Sequence, residues 1–317
     1  MPDIFEYDFM VRALTGAVLV GALAPAFGVF MVLRRLSLIA DTLSHVALTG
    51  VAIGVLTRVF PPAVAVGTTA AAAAAIEEMR ARRVLPGDAA LAVFLYGALA
   101  IAVVIFSVAN GFNSSLFGYL FGSILTVGAG DLWLVGVLMV VAAGFFTWFY
   151  SDLAQTSFDT DLARINGVRV HFVNIALAVL TGAAITLSMR IVGVLLVGAL
   201  IVVPALIALR LATGLAQTIF TAVAAGIAMS IAGIVIAFYA DIAPGGTVVL
   251  TGVAALAAVE TGHWLCRRRR PAPTSLDIHR HHAVQQPAAP AGQLELPVPD
   301  GQGSAPTGSR KDPGGDA

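Results

Sequence analysis

Apolar runs of about 20 residues recur along the first 266 positions of this chain, each long enough to cross a hydrocarbon core of ~30 Å. Nine can be read, at about 9–33, 38–60, 62–79, 88–108, 131–150, 171–189, 191–209, 215–239 and 246–266. In lipid, every backbone N–H and C=O must be satisfied within the protein, so such segments fold as helices. Only 11% of residues are charged, against roughly 25% in an average soluble domain. The expected fold is therefore all-α: a polytopic membrane protein with eight or nine transmembrane helices.

The arginines orient the chain. Twelve of them (Arg34, Arg35, Arg80, Arg82, Arg83, Arg164, Arg169, Arg210 and Arg267 to Arg270) follow the first, third, fifth, seventh and ninth segments. Within the first 270 residues, Arg12, Arg58 and Arg190 lie elsewhere. Cytoplasmic loops carry the excess of basic residues, so the N-terminus is expected outside and the C-terminus inside. The opening residues are acidic and lack the basic stretch of a cleavable signal, so the first segment is expected to be a retained span.

Several chemistries are excluded early. A single cysteine, Cys266, leaves no disulfide framework and no thiolate metal cluster. The only lysine, Lys311, is not in a Gly-Lys-Ser/Thr sequence, so no Walker A phosphate loop is present. No His-Glu-x-x-His motif occurs among the six histidines, which removes the support for an intramembrane metalloenzyme.

Within the second segment, Asp41 and His45 are four residues apart, hence neighbours on one helical face. Ser37 and Thr49 continue the line at the same spacing. Ionisable residues inside a span are costly and face a cavity or a partner. A carboxylate beside an imidazole suits zinc or manganese. An intrahelical ion pair that fixes packing is the alternative.

Other stretches carry weaker signals. The segment 62–79 is mostly alanine and glycine, which permits close helix approach, and Glu77 and Glu78 are expected to form its solvated end. Residues 112–125 are aromatic and too short to span, as an interfacial or re-entrant helix would be. In 157–170, Asp159 or Thr160 can cap a short helix that Gly167 ends. Such a helix either docks in a groove of a soluble partner or is an ordinary surface turn. Gly193, Gly198 and Pro204 interrupt the seventh span; proline there removes a helical hydrogen bond and kinks the helix. Asp241 either forms a turn or attracts cations at the outer mouth. Residues 271–317 hold 8 of the 15 prolines and show no helical or strand period, so 267–317 is expected to be a disordered cytoplasmic tail. Its His279, His281 and His282 form a short candidate metal tract.

Five pieces, taken in order, resemble the membrane permeases of zinc- and manganese-type ABC importers. They are Arg34 to His45, Tyr119 to Leu125, Leu162 to Val168, Val192 to Pro204 and Asp241 to Gly246, and the resemblance covers about 9–262. It implies a homodimeric permease with a fold similar to that of the vitamin B12-type importers. It also implies separate cytoplasmic ATP-binding subunits, an extracytoplasmic metal-binding protein, and no permanently bound cofactor or nucleic acid. The family's metal-coordinating pair maps onto Asp41 and His45. The ATPase-coupling helix maps onto 157–170, with Asp161, Leu162, Ala163, Ile165 and Gly167 as its candidate residues. The expected function is import of a divalent metal ion across the cell membrane. The competing class is a secondary transporter driven by an ion gradient, for which an Asp–His pair would serve as proton relay.

Overall fold

The computed structural model describes residues 8–82, 84, 86–108, 122 and 128–268. Among these residues all regular structure is helical. The helices are α1 (Asp8–Leu33), α2 (Ile39–Thr57), α3 (Pro61–Ala81), α4 (Gly87–Val108), α5 (Ala129–Trp148), α6 (Tyr150–Phe158), α7 (Thr160–Ile165), α8 (Val170–Val192), α9 (Val194–Leu211), α10 (Leu215–Ala240) and α11 (Pro244–Arg268). Each of the nine apolar segments corresponds to one long helix. The interfacial helix expected at 112–125 lies outside the described residues, apart from Gly122, and so does the tail beyond Arg268.

Seven of the long helices are long and apolar enough to cross a membrane by length and composition. The two that fall short do so for readable reasons. α3 is diluted by alanine and threonine and ends in Glu77, Glu78 and Arg80. The apolar run of α9, Leu196–Leu211, is short.

Turns are set by a few backbone positions. Arg35, Arg58 and Asp241 take the left-handed conformation (φ 58°, 57° and 53°) and close α1, α2 and α10 respectively. Asp241, exposed at the end of α10, is thus a turn residue. Pro61 and Pro62 open α3, where a missing N–H costs nothing. Gly193 (φ 97°, ψ 151°) alone separates α8 from α9 in a region that side chains avoid. Helix α9 continues through Pro204, so the sequence break falls at Gly193.

Helices α1 and α2 form the interior. In each, 72% of the most apolar window is buried, against 11% in α11, which is left facing lipid or a partner. α1 packs on α5, α8, α9 and α10; α2 packs on α3, α4, α8 and α9. Phe27 and Phe30 of α1 meet Phe146 of α5 with ring centroids 4.9 and 5.3 Å apart, within the favourable range for aromatic pairs. Small residues bring α3 close, as the alanine-rich sequence implies: a methyl on Gly54 would come 2.7 Å from Pro61 Cα, and one on Gly182 would come 3.0 Å from Thr69 Cγ2.

Some polar groups inside the bundle are bonded between helices. The Thr186 hydroxyl donates to Thr69 Oγ1 at 3.1 Å. Arg190 is ion-paired with Asp131, tying the last turn of α8 to the first turn of α5. Glu77 departs from the expected solvated helix end. It is only 6% exposed and bonds Arg80 at 2.7 Å, because α3 is pressed between α2 and α8. Glu78, on the rim, pairs with Arg82 and lies 3.2 Å from His171.

Candidate functional site

Two clusters of chemistry-bearing residues lie far apart in sequence and are built from different helices. The first is at the start of α2. This helix begins at Ile39 without a side-chain cap, so Asp41 is in its first turn and His45 one turn further. Ser37 precedes the helix in an exposed turn. It therefore does not share their face, contrary to the sequence pattern. Thr49 is turned to α4, where its hydroxyl donates to the Ala98 carbonyl at 2.7 Å. Thr42 likewise reaches the Leu91 carbonyl at 3.3 Å. The expected stripe of four thus reduces to Asp41 and His45, because a buried threonine hydroxyl must find an acceptor and α4 supplies it.

Asp41 is exposed at the surface of the single chain and His45 is half-buried. Asp41 Oδ1 rests against Gly198 of α9, in the space that a methyl group there would fill. Asp41 and His45 make no hydrogen bond or ion pair with each other among the described residues. His45 Nδ1 is buried without a hydrogen-bond partner among the described residues. An imidazole nitrogen left free of protein partners is available to a metal ion. No group of three or more His, Cys, Asp or Glu side chains able to hold a metal occurs among the described residues. One chain therefore offers at this point two candidate ligands, half the number of a tetrahedral set. His279, His281 and His282 lie outside the described residues.

The second cluster is α6–α7 with the first turn of α8. Asp159 caps α7, its Oδ1 accepting from the backbone of Asp161 and Leu162 at 2.9 and 3.0 Å. Gly167 ends the helix at φ 81°, and Val168 N closes onto the Ala163 carbonyl at 3.0 Å. Asn166 bonds Gln155 at 3.0 Å, folding α7 back on α6. Leu162 and Ile165 are 54% and 82% exposed, and Asp161 is exposed beside them. Ala163 is fully buried and faces the protein. At about 100° per residue, Leu162 and Ile165 lie about 60° apart while Ala163 is about 100° from one and about 160° from the other, and Ala163 is the one that packs inward. Phe158, 70% exposed at the end of α6, adds to the apolar surface. Its apolar neighbours on α7 were the only sequence signal for it.

Arg34 joins the clusters. It follows α1 and directs its guanidinium to Asn174 Oδ1 (2.5 Å), Thr156 Oγ1 (2.7 Å) and Ser157 Oγ (3.2 Å). Burial lowers its pKa to about 10, so it remains cationic at neutral pH. Nothing in the local sequence marks this contact, since its partners are more than 120 positions away.

A family model described as the ABC 3 transport family matches residues 6–261. The high-affinity zinc uptake system membrane protein ZnuB of Haemophilus influenzae is 31% identical over 244 residues, covering 77% of this chain and 94% of that protein. The manganese import system permease protein ScaB of Streptococcus gordonii is 31% identical over 253 residues, covering 78% and 89%. Among solved structures, PsaBC from Streptococcus pneumoniae in complex with Fab contains a chain that superposes with a TM-score of 0.74 at 29% identity, covering 81% of this chain and 92% of that one.

Proposed function

The chain belongs to the ABC 3 transport family and is a multi-pass protein of the cell membrane; on that premise we propose that it is the permease of an importer carrying zinc or manganese into the cytoplasm. The observation that carries this reading is the pair on α2: Asp41 exposed on its Gly198 seat, and His45 with a ring nitrogen that has no partner among the described residues. The relatives named for zinc and for manganese uptake support the cargo class.

Two copies related by a two-fold axis, the commonest oligomer symmetry, would bring two carboxylates and two imidazoles to one pathway. That set satisfies a four-coordinate ion and neutralises its double charge. Because each chain holds only half, the site forms and dissolves with the relative position of the copies, which lets an ion leave as well as enter. Energy comes from elsewhere, since this chain has no Walker A loop. ATP-hydrolysing subunits would dock on the exposed surface of Phe158, Leu162 and Ile165, and an extracytoplasmic metal-binding protein would deliver the ion.

The test is uptake by vesicles containing the reconstituted complex, with Zn²⁺ and Mn²⁺ offered separately. ATP-dependent uptake that is lost in Asp41→Ala and His45→Ala supports the proposal. Unchanged uptake in both variants overturns the site. Uptake by the permease alone, driven by a proton gradient, would overturn the ATP-driven mechanism in favour of a secondary transporter.

A further inference from the structure

Arg34 makes a contact that the proposed function does not use. The turn carrying it is closed on both sides. Arg34 N donates to the Phe30 carbonyl at 3.1 Å, and Leu36 N to the Met31 carbonyl at 2.8 Å. Arg35 takes the left-handed conformation between them, and Leu36 is buried. Ile39 N then bonds back to the Leu36 carbonyl at 3.0 Å as α2 begins. The stretch from Arg34 to the first turn of α2 is thus an elbow with little freedom, and Asp41 lies at its far end.

The partners of the guanidinium bracket α7. Thr156 and Ser157 are in the last turn of α6, just before the Asp159 cap, and Asn174 is in the first turns of α8, just after Gly167. Thr156 is buried and its hydroxyl also donates to the Asp152 carbonyl at 2.8 Å, so the acceptor is itself held. A planar guanidinium can bond acceptors on two elements at once, whereas an ammonium is a point charge on a flexible stem. A displacement of α7 that draws α6 with it, through the Asn166–Gln155 bond at 3.0 Å, or draws the start of α8, must therefore carry the elbow along or break these hydrogen bonds.

We propose that Arg34 is a coupling strut, transmitting movement of α7 through Thr156, Ser157 and Asn174 to the first turns of α2 and so to Asp41 and His45. This rests on the functional reading above, in which α7 receives the ATP-driven motion. Arg34 is a positioning residue and does not touch the ion. A link of this kind requires rigid elements that move together, which the elbow and the α6–α8 bracket supply.

The experiment compares ATP hydrolysis and metal uptake in the same vesicles, using the complete complex with Zn²⁺ and with Mn²⁺. Arg34→Gln is expected to leave hydrolysis within about twofold of wild type while metal moved per ATP falls at least about tenfold, with Arg34→Lys intermediate because it keeps charge but not the fork. Adding Asn174→Ala to Arg34→Gln should cause no further fall, as for residues acting as one unit. An unchanged ratio in Arg34→Gln overturns the strut. So does a parallel loss of uptake and hydrolysis with a lowered Tm, which marks a purely structural residue. If Arg34→Gln does not assemble, Arg34→Lys and Asn174→Ala carry the same comparison, and an unchanged ratio in both is equally decisive. A wild-type complex that takes up neither ion counts against the functional reading, a result separate from the variant ratios.

Discussion

The carboxylate of Asp41 on α2 occupies the space beside Gly198 of α9 where any side chain would stand. A glycine in the middle of a helix is unfavourable by roughly 1 kcal/mol relative to alanine, so its presence in α9 is explained by the neighbour it accommodates. Gly198→Ala is expected to leave the melting temperature of the permease unchanged or higher, yet to displace Asp41 and lower metal uptake at least about tenfold, since displacements near 1 Å have effects of that size at reacting sites. Melting in detergent and uptake in vesicles measure the two effects separately. Normal uptake in the alanine variant would show that the seat is not needed.

Asp41→Ala and His45→Ala each take away one candidate ligand from every copy of the chain. Each is expected to reduce uptake by at least about tenfold, and the double variant to be no worse than the more severe single one, because an incomplete site fails as a unit. ATP hydrolysis by the partner subunits should persist, as these residues lie away from the α7 surface. Parallel uptake and hydrolysis assays report both.

On α7, Leu162→Asp and Ile165→Asp place charges on the exposed apolar face, and the ATP-hydrolysing subunits should no longer co-purify with the permease. Neither change touches the packed interior, so thermal stability should move by less than about 0.5 kcal/mol. Ala163→Leu is expected to do the reverse. It overpacks a buried position at a cost of ~1–3 kcal/mol. Co-purification and melting curves distinguish the two faces.

At the start of α5 and the end of α8, Asp131 and Arg190 form an ion pair in which the carboxylate is largely covered. Arg190→Met should destabilise the protein by about 1–3 kcal/mol, because it leaves Asp131 without its cation. Asp131→Asn in the same chain should recover much of that loss, which a double-mutant cycle of unfolding measures.

Gly193 has φ 97° and is the single residue between α8 and α9. Gly193→Ala is expected to cost about 1–3 kcal/mol through backbone strain alone. A melting temperature equal to wild type would mean that the break can be rebuilt with ordinary angles.

What was legible in the sequence had short range. Nine helices follow from the lengths of apolar runs, because lipid leaves the backbone no other way to satisfy itself. The turn ending α7 follows from Asp159 and Gly167, whose effects act within a few residues. Asp41 and His45 follow from the four-residue spacing of a helix, which holds whatever surrounds it. The same rule overreached at Ser37 and Thr49, since spacing does not say where a helix begins or which neighbour offers an acceptor. Glu77 misled for a similar reason: the end of an alanine-rich helix reads as solvated unless it is known to be wedged between two others.

The sequence by itself determined a multi-span helical protein and placed two ionisable side chains, Asp41 and His45, one turn apart on the second long helix. Tertiary structure alone decided that Asp41 rests on Gly198, that Ala163 turns inward while Phe158 joins Leu162 and Ile165 outside, and that Arg34 grips both flanks of α7. Each of these depends on the approach of helices distant in the chain. Hydrophobic pattern sets which segments are buried, but is nearly blind to which buried segment meets which. That pairing is fixed by the shapes of small residues and by the need of each buried polar group for a partner.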